Sequence, residues 1–270
     1  MTLPKKGTFF TKTILIALIG LVAILLVACG TDDETTGNNS NDSADTKEEI
    51  TVAVVQDYPP FEYQVDQELT GFDVELVEAI AEKANLSVDW KIMKFDGIIP
   101  ALQVDQVDAA VSAIGIRDDR LEIVDFSDPY FESGLSLVTL KDSDIESEAD
   151  LEGKTIVAKQ GTSSLQLAEE LADEYGSEVT KLQDDATMYM ELENSNADVL
   201  INDYPSVAYK INQEEDSNLR IVGDKYPSED YGIAISKEAD GLVEKVNEGL
   251  QELRDSGEFD EIYNKYFSEE

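Results

Sequence analysis

The run Ile50-Thr51-Val52-Ala53-Val54-Val55, closed by the turn residues Asp57, Pro59 and Pro60, decides the class of fold. Six apolar or β-branched residues bounded by turn formers read as a buried strand, of the kind parallel sheets contain. Residues 73–84 follow with Val77, Ile80, Ala81 and Ala84 at helical spacing, which gives one apolar face. Residues 86–93 alternate as a strand, Gly97 leads into a short helix through 102, and 109–113 and 135–140 are strands. The alternation then restarts with strand 155–158, helix 163–175, helix 186–194, strand 198–201, helix 204–211 and strand 219–222. Residues 232–236 form a last strand, and Leu242, Val246, Leu250 and Leu253 stripe a terminal helix. This order predicts an α/β chain with parallel sheets covered by helices on both faces. No repeat of solenoid length is visible. In open sheets a ligand sits at the carboxyl ends of the strands, so the turns there are where chemistry is expected.

Composition removes several functions. The 270 residues hold 59 acidic and 20 basic side chains, a formal charge of −39, with one Cys and no His. Without His there is no Ser–His–Asp or Cys–His relay and no His-containing metal site. A single Cys allows no intrachain disulfide and no thiolate cluster. The charge argues against nucleic acid, whose binders need a basic face. A hydrophobic content of 42% supports a buried core, so the charge predicts an acidic surface rather than a disordered chain. Salt relieves such self-repulsion, which points to a saline or alkaline habitat; an ordinarily acidic secreted protein is the alternative. The acids show no EF-hand spacing, and no metal or cofactor is expected.

The first 28 residues carry Lys5, Lys6 and Lys12, no acid, and an apolar run over 14–28 broken only by Gly20. That run is short for a membrane span and suits the core of a signal peptide. It ends Leu26-Val27-Ala28-Cys29-Gly30, which resembles the bacterial lipobox. The resemblance implies cleavage after residue 28, lipid on Cys29, and a body held at the extracytoplasmic face of a bacterial membrane. Residues 29–48 supply the lipidated cysteine and a polar, disordered tether. No apolar run after residue 29 is long enough to span a bilayer.

Seven strings occur in order through the body. They are Tyr58-Pro59-Pro60-Phe61-Glu62-Tyr63, Gly71-Phe72-Asp73-Val74, the run from Phe95-Asp96-Gly97 to Leu102, Asp118-Asp119-Arg120, the run from Val124-Asp125-Phe126 to Tyr130, Gly161-Thr162-Ser163, and Tyr231-Gly232-Ile233-Ala234. Together they resemble the polar-amino-acid substrate-binding proteins of bacterial ABC importers, a glutamine-binding-protein-like group. The resemblance covers about residues 49–268. It implies a two-lobed, type II periplasmic-binding-protein-like α/β fold with two hinge crossings, near 133–140 and 230–235. Lobe one is then 49–136 with 231–270, and lobe two is 137–230. It further implies a monomeric binding protein, not an enzyme, that delivers its amino acid to a permease and ATPase complex.

A zwitterion in a closed cleft needs both charges matched, because an unpaired buried charge is costly. The resemblance places the ligand carboxylate on Arg120 and on the turn Gly161-Thr162-Ser163, where backbone amides at a helix start also suit an anion. The ammonium falls to Asp203 and to residues 112–115, with Ser112, Ala113 and Gly115 contributing partly through carbonyls. A hydroxyl residue is usual where Gly115 stands; its absence leaves either a water in the gap or an amine held differently. Tyr58 and Phe95 match an aromatic pair that sandwiches the ligand side chain. Phe61 and Phe126 read as ordinary core, and Trp90 as core outright.

Specificity is expected from Lys159 and Asn202. An ammonium there repels basic side chains and suits an amide or carboxylate, and Asn202 can both donate and accept. Glutamine is the first expectation, with glutamate or another small polar amino acid next. Asp57 and Asp96, close to the aromatic pair, could neutralise Lys159 and admit a basic amino acid or related zwitterion. The fold also resembles that of cyclohexadienyl dehydratases, whose chemistry needs an acid with a raised pKa. Asp57 or Glu62 could be nominated, but no second unmatched acid is clearly placed by the sequence.

Overall fold

The computed structural model describes residues 47–214 and 216–267. The expected leader, the lipidation site Cys29 and the tether through residue 46 lie outside the described residues. The chain opens with β1 (Glu48–Val54), then a small antiparallel sheet of β2 (Asp57–Tyr58), β3 (Glu62–Val65) and β4 (Glu68–Thr70). Helix α1 (Phe72–Lys83), β5 (Leu86–Ile92), α2 (Phe95–Gln103), β6 (Ala109–Ala110), α3 (Asp118–Leu121) and β7 (Asp125–Phe126) follow. β8 (Gly134–Leu140) then enters a second sheet, built further by β9 (Thr155–Lys159), α4 (Ser163–Tyr175), β10 (Glu178–Leu182), α5 (Asp185–Glu193), β11 (Val199–Asp203), α6 (Tyr204–Gln213) and β12 (Leu219–Pro227). β13 (Ala234–Ile235) returns to the first sheet, and α7 (Leu242–Ser256) and α8 (Glu258–Phe267) pack on it.

The result is a two-lobed α/β fold. The first sheet runs β5-β1-β6-β13-β7 and the second β10-β9-β11-β8-β12. Each is parallel where strands alternate with helices, as β5, β1 and β6 or β10, β9 and β11 do. Neither is wholly parallel as the alternation predicted. β13 and β8 run antiparallel to their neighbours. Both arrive directly from the other lobe rather than through a covering helix, so the crossover that keeps strands parallel is missing. The passing segments lie side by side: Pro227 pairs with Gly134, and Tyr231 bridges both Phe131 and Gly115.

Burial follows the two-residue period of the strands. In β9, Ile156 and Ala158 join a core capped by Leu165, Ala168 and Leu171 of α4. Val157 faces the opposite core, with Met188 and Leu192 of α5 and Val207 of α6. Lobe one holds a single larger core around Val52, Val54, Phe61, Phe72, Leu76 and Leu250. Three expectations shift here. The strand at 109–113 is only two residues long, because Ala113 takes a positive φ of 46° and turns the chain. Trp90 is half-buried at the edge strand β5, its indole N–H directed at Glu78. The polar β10, unread in the sequence, is an edge strand with only Val179 and Leu182 packed inward.

One local device fixes the segment that later carries Tyr58 and Glu62. Gly71 has φ +129°, and a Cβ there would lie 2.2 Å from the Phe61 carbonyl oxygen. That close approach lets the first amides of α1 reach back: Phe72 N–H donates to Pro60 O and Asp73 N–H to Phe61 O, both at 2.9 Å. Among the described residues, no helix is long and apolar enough to cross a membrane.

Candidate functional site

All eleven cleft residues expected from the sequence line one cavity: Tyr58, Phe95, Ser112, Ala113, Gly115 and Arg120 from lobe one, and Lys159, Thr162, Ser163, Asn202 and Asp203 from lobe two. The lobes are closed on each other around it. Ser206 Oγ donates to Pro59 O at 2.8 Å, and Lys94 Nζ donates to Gln183 Oε1 at 2.9 Å.

Arg120 sits in the single turn α3 and is 4% exposed. Its neighbour Arg117 takes Asp119 as ion-pair partner at 2.7 Å. Arg120 instead donates from Nη1 to Gly115 O at 2.7 Å and from Nη2 across the cleft to Gly161 O at 2.9 Å. Among the described residues, no carboxylate stands in ion-pair distance of it. Burial, helped by the like charge of Arg117, pulls its pKa down to about 10, so it remains a cation at neutral pH. It also lies over the Phe95 ring, 5.6 Å from its centre. A desolvated cation with carbonyls and a ring but no carboxylate at hand leaves room for an anion. Gly161, whose φ of +83° suits glycine, presents the carbonyl across the cleft.

The turn beside it starts α4. Thr162 caps the helix, accepting from Leu165 N–H at 3.2 Å and donating its hydroxyl to Lys159 O at 2.7 Å. Its side chain is therefore used internally, and what the turn offers the cavity is backbone N–H without intrahelical acceptors. Ser163 Oγ donates to Glu229 Oε2 at 2.8 Å. Glu229 also answers the question raised by Gly115: a Cβ on Gly115 would lie 3.4 Å from Glu229 Oε2. A carboxylate from the return segment, rather than a hydroxyl, borders that space.

Asp203 ends β11 and stands at the N-cap of α6, yet its side chain does not cap the helix. It points into the cavity and accepts a very short hydrogen bond from the Tyr58 hydroxyl, which also lies 3.1 Å from Asn202 Oδ1. Burial raises its pKa to about 6, although the hydroxyls of Tyr58 and Tyr231 oppose the shift. Ser112 Oγ accepts from Val55 N–H at 2.9 Å, and Ala113 N–H donates to Asp73 Oδ2 at 2.8 Å. Ala113's left-handed backbone is strain placed at the site.

Lys159 is 4% exposed and paired with Asp185, Nζ to Oδ2 at 2.5 Å. Its ammonium lies 5.1 Å from the Tyr58 ring centre and 5.8 Å from that of Phe95. Burial works against this charge, but Asp185, with Asp57 and Glu62 adding to it, holds the pKa above the ordinary lysine value. Asp57 thus helps neutralise Lys159 from a distance, while the ion pair is made by Asp185 and Asp96 accepts instead from Gln183. Asn202 is a brace rather than a free contact, donating from Nδ2 to Asp185 Oδ1 at 3.0 Å.

Sequence reasoning did not assign Tyr231, Val55 and Ser228, which also line the cavity, or Asp185 behind Lys159. Glu62, one of the two acids the sequence nominated, does line the cavity. It is fully buried and carboxyl-to-carboxyl with Asp73, the side-chain hydrogen bond between them standing in place of any other donor. Burial, then the neighbouring Asp73, pushes its pKa well above the usual carboxyl range. Asp73 itself, raised to about 6 by burial, is bonded by Ala113 N–H and the Tyr130 hydroxyl.

Comparison with known proteins places this geometry. The family model of the bacterial extracellular solute-binding proteins, family 3, matches residues 50–269. The arginine-binding extracellular protein ArtP of Bacillus subtilis (strain 168) is 30% identical over 260 residues, covering 96% of this chain and 99% of that protein. The ABC transporter glutamine-binding protein GlnH of the same organism is 32% identical over 279 residues, covering 96% and 98%. Among solved structures, an ancestral arginine-binding protein bound to arginine superposes with a TM-score of 0.78 at 36% identity, covering 83% of this chain and 100% of that one. With the match spanning both lobes and the cavity between them, this chain belongs to the bacterial extracellular solute-binding proteins of family 3.

Proposed function

We propose that the protein is the binding component of an ABC importer, anchored through lipid on Cys29, and that it captures one free amino acid, glutamine first, between its lobes. The observation that carries this is Arg120, a buried cation lining the cavity that lies over the Phe95 ring, donates to two carbonyls and, among the described residues, has no carboxylate in ion-pair distance. A ligand carboxylate would complete it, joined by the first-turn amides of α4. The ammonium would meet Asp203, which does no capping work for its own helix. Gly115's carbonyl is engaged by Arg120, so the second contact for the ammonium falls to Ser112 and Ala113. The side chain would lie between Tyr58 and Phe95, and its acceptor end would take the remaining protons of Lys159, an arrangement that suits an amide or a carboxylate. Micromolar binding corresponds to about −8 kcal/mol, within reach of two matched charges in a closed site.

The test is a thermal-shift screen of the mature protein against the twenty amino acids, ectoine and polyamines. A ligand at one hundred times its dissociation constant stabilises by about 2.7 kcal/mol. Glutamine should give the largest shift, and no shift with any amino acid would overturn the reading. Glu62 favours a second reading, an enzyme of the cyclohexadienyl dehydratase kind, since acid catalysis needs a carboxyl whose pKa is raised, and burial beside Asp73 raises this one in the cavity wall. Turnover of prephenate distinguishes it; the transport reading expects none.

A further inference from the structure

We infer that Lys159 and Asp185 form a built-in cation box, in which the protein's own ammonium occupies the place that the side-chain charge of a basic amino acid would fill. This rests on the cleft being the amino-acid site and goes on to name the residue that sets its ligand class. Asp185 is 4% exposed, at the first turn of α5, while its neighbour Asp184 caps that helix. Asp185 therefore has no capping duty. Its oxygens face Lys159 Nζ at 2.5 Å and Asn202 Nδ2 at 3.0 Å.

The ammonium so held sits against the faces of Tyr58 and Phe95, where aromatic rings favour a cation. Glu62, buried against Asp73, lines the same space. The slot thus carries the components of a cation site, an aspartate and two aromatic faces, already satisfied from within. A ligand arginine or lysine would have to displace Lys159, whereas an uncharged or anionic side-chain end can use its free donors. Removing only the ammonium should turn the specificity over, because Asp185, behind it, would then keep the neutral Asn202 Nδ2 but lose its counter-charge beside a desolvated aromatic slot.

Calorimetric titration of glutamine, arginine and lysine into three proteins tests this: the wild type, Lys159→Met, and Lys159→Met/Asp185→Asn. The wild type should bind glutamine and neither base. Lys159→Met should lose at least tenfold in glutamine affinity and gain arginine or lysine, and the double variant should lose that gain. Tight arginine or lysine binding by the wild type would overturn the inference without recourse to any variant. A folded Lys159→Met, shown by cooperative melting, that takes neither base would overturn it while leaving the glutamine reading intact. A wild type that binds no amino acid, beside a Lys159→Met that gains arginine, would refute the ligand reading and support the box.

Discussion

Arg120 Nη2 of lobe one donates to the carbonyl oxygen of Gly161 in lobe two at 2.9 Å, so the guanidinium spans the cleft at the point where α4 begins. Because its other bond is also to a carbonyl, the charge is desolvated without an anion. Replacing Arg120 by Ala removes a buried charge and should leave the fold cooperative, while amino-acid affinity falls by roughly 2–5 kcal/mol, the usual loss for one partner of a buried charge pair. Calorimetry and a thermal melt on the same sample check both halves.

Asp203 gives the pH dependence. Its carboxyl is raised to about 6 in the folded protein, so it is protonated below that pH and charged above it. Only the charged form matches an ammonium. Affinity should therefore be full at pH 7–8 and fall by about tenfold per unit as pH drops below 6, with about half a proton released on binding at pH 6 and close to one at pH 5. The stability contribution has the opposite sign. A raised carboxyl pKa favours the fold at low pH, and that contribution is lost as pH rises through about 6. Titrations from pH 5 to 8 in two buffers of different ionisation enthalpy measure the proton directly.

The tie between α1 and the segment carrying Tyr58 depends on Gly71. A side chain at φ +129°, 2.2 Å from a backbone oxygen, cannot be accommodated without moving the chain. Gly71→Ala should cost about 2 kcal/mol or more in chemical denaturation. Gly176→Ala serves as a control: its φ is +79°, but a Cβ there meets nothing within 4 Å, and its cost should be smaller.

Charge makes a separate prediction. Lys83, Lys154, Lys181, Lys245 and Lys265 each pair with a carboxylate, yet 20 bases cannot match 59 acids. Self-repulsion should lower the melting temperature by several degrees in low salt relative to molar salt. Equal melting in both would dismiss the saline-habitat expectation.

The fold was legible where burial imposes a pattern. Ile156, Val157 and Ala158 alternate between two cores, and the stripe from Leu242 to Leu253 packs as a helix. It was less legible where burial is slight, as in β10. Antiparallel β8 and β13 escaped because strand direction depends on a long-range return that no local period encodes. In the cleft, the eleven residues expected from the resemblance line one cavity, although only Tyr58, Phe95, Arg120, Thr162 and Ser163 lie within the quoted strings. Asp185 was hidden because it follows another aspartate: one caps the helix and the other turns inward, and residue type does not distinguish them. Glu62 lay within a quoted string, but only the folded chain shows that its carboxyl is fully buried against that of Asp73.

The central claim is that one cavity grips both charges of a free amino acid. Calorimetric titration with glutamine, glutamine α-amide and N-acetylglutamine tests it most directly. Binding of glutamine with loss of affinity on blocking either end is the predicted result, and equal binding of all three would contradict it.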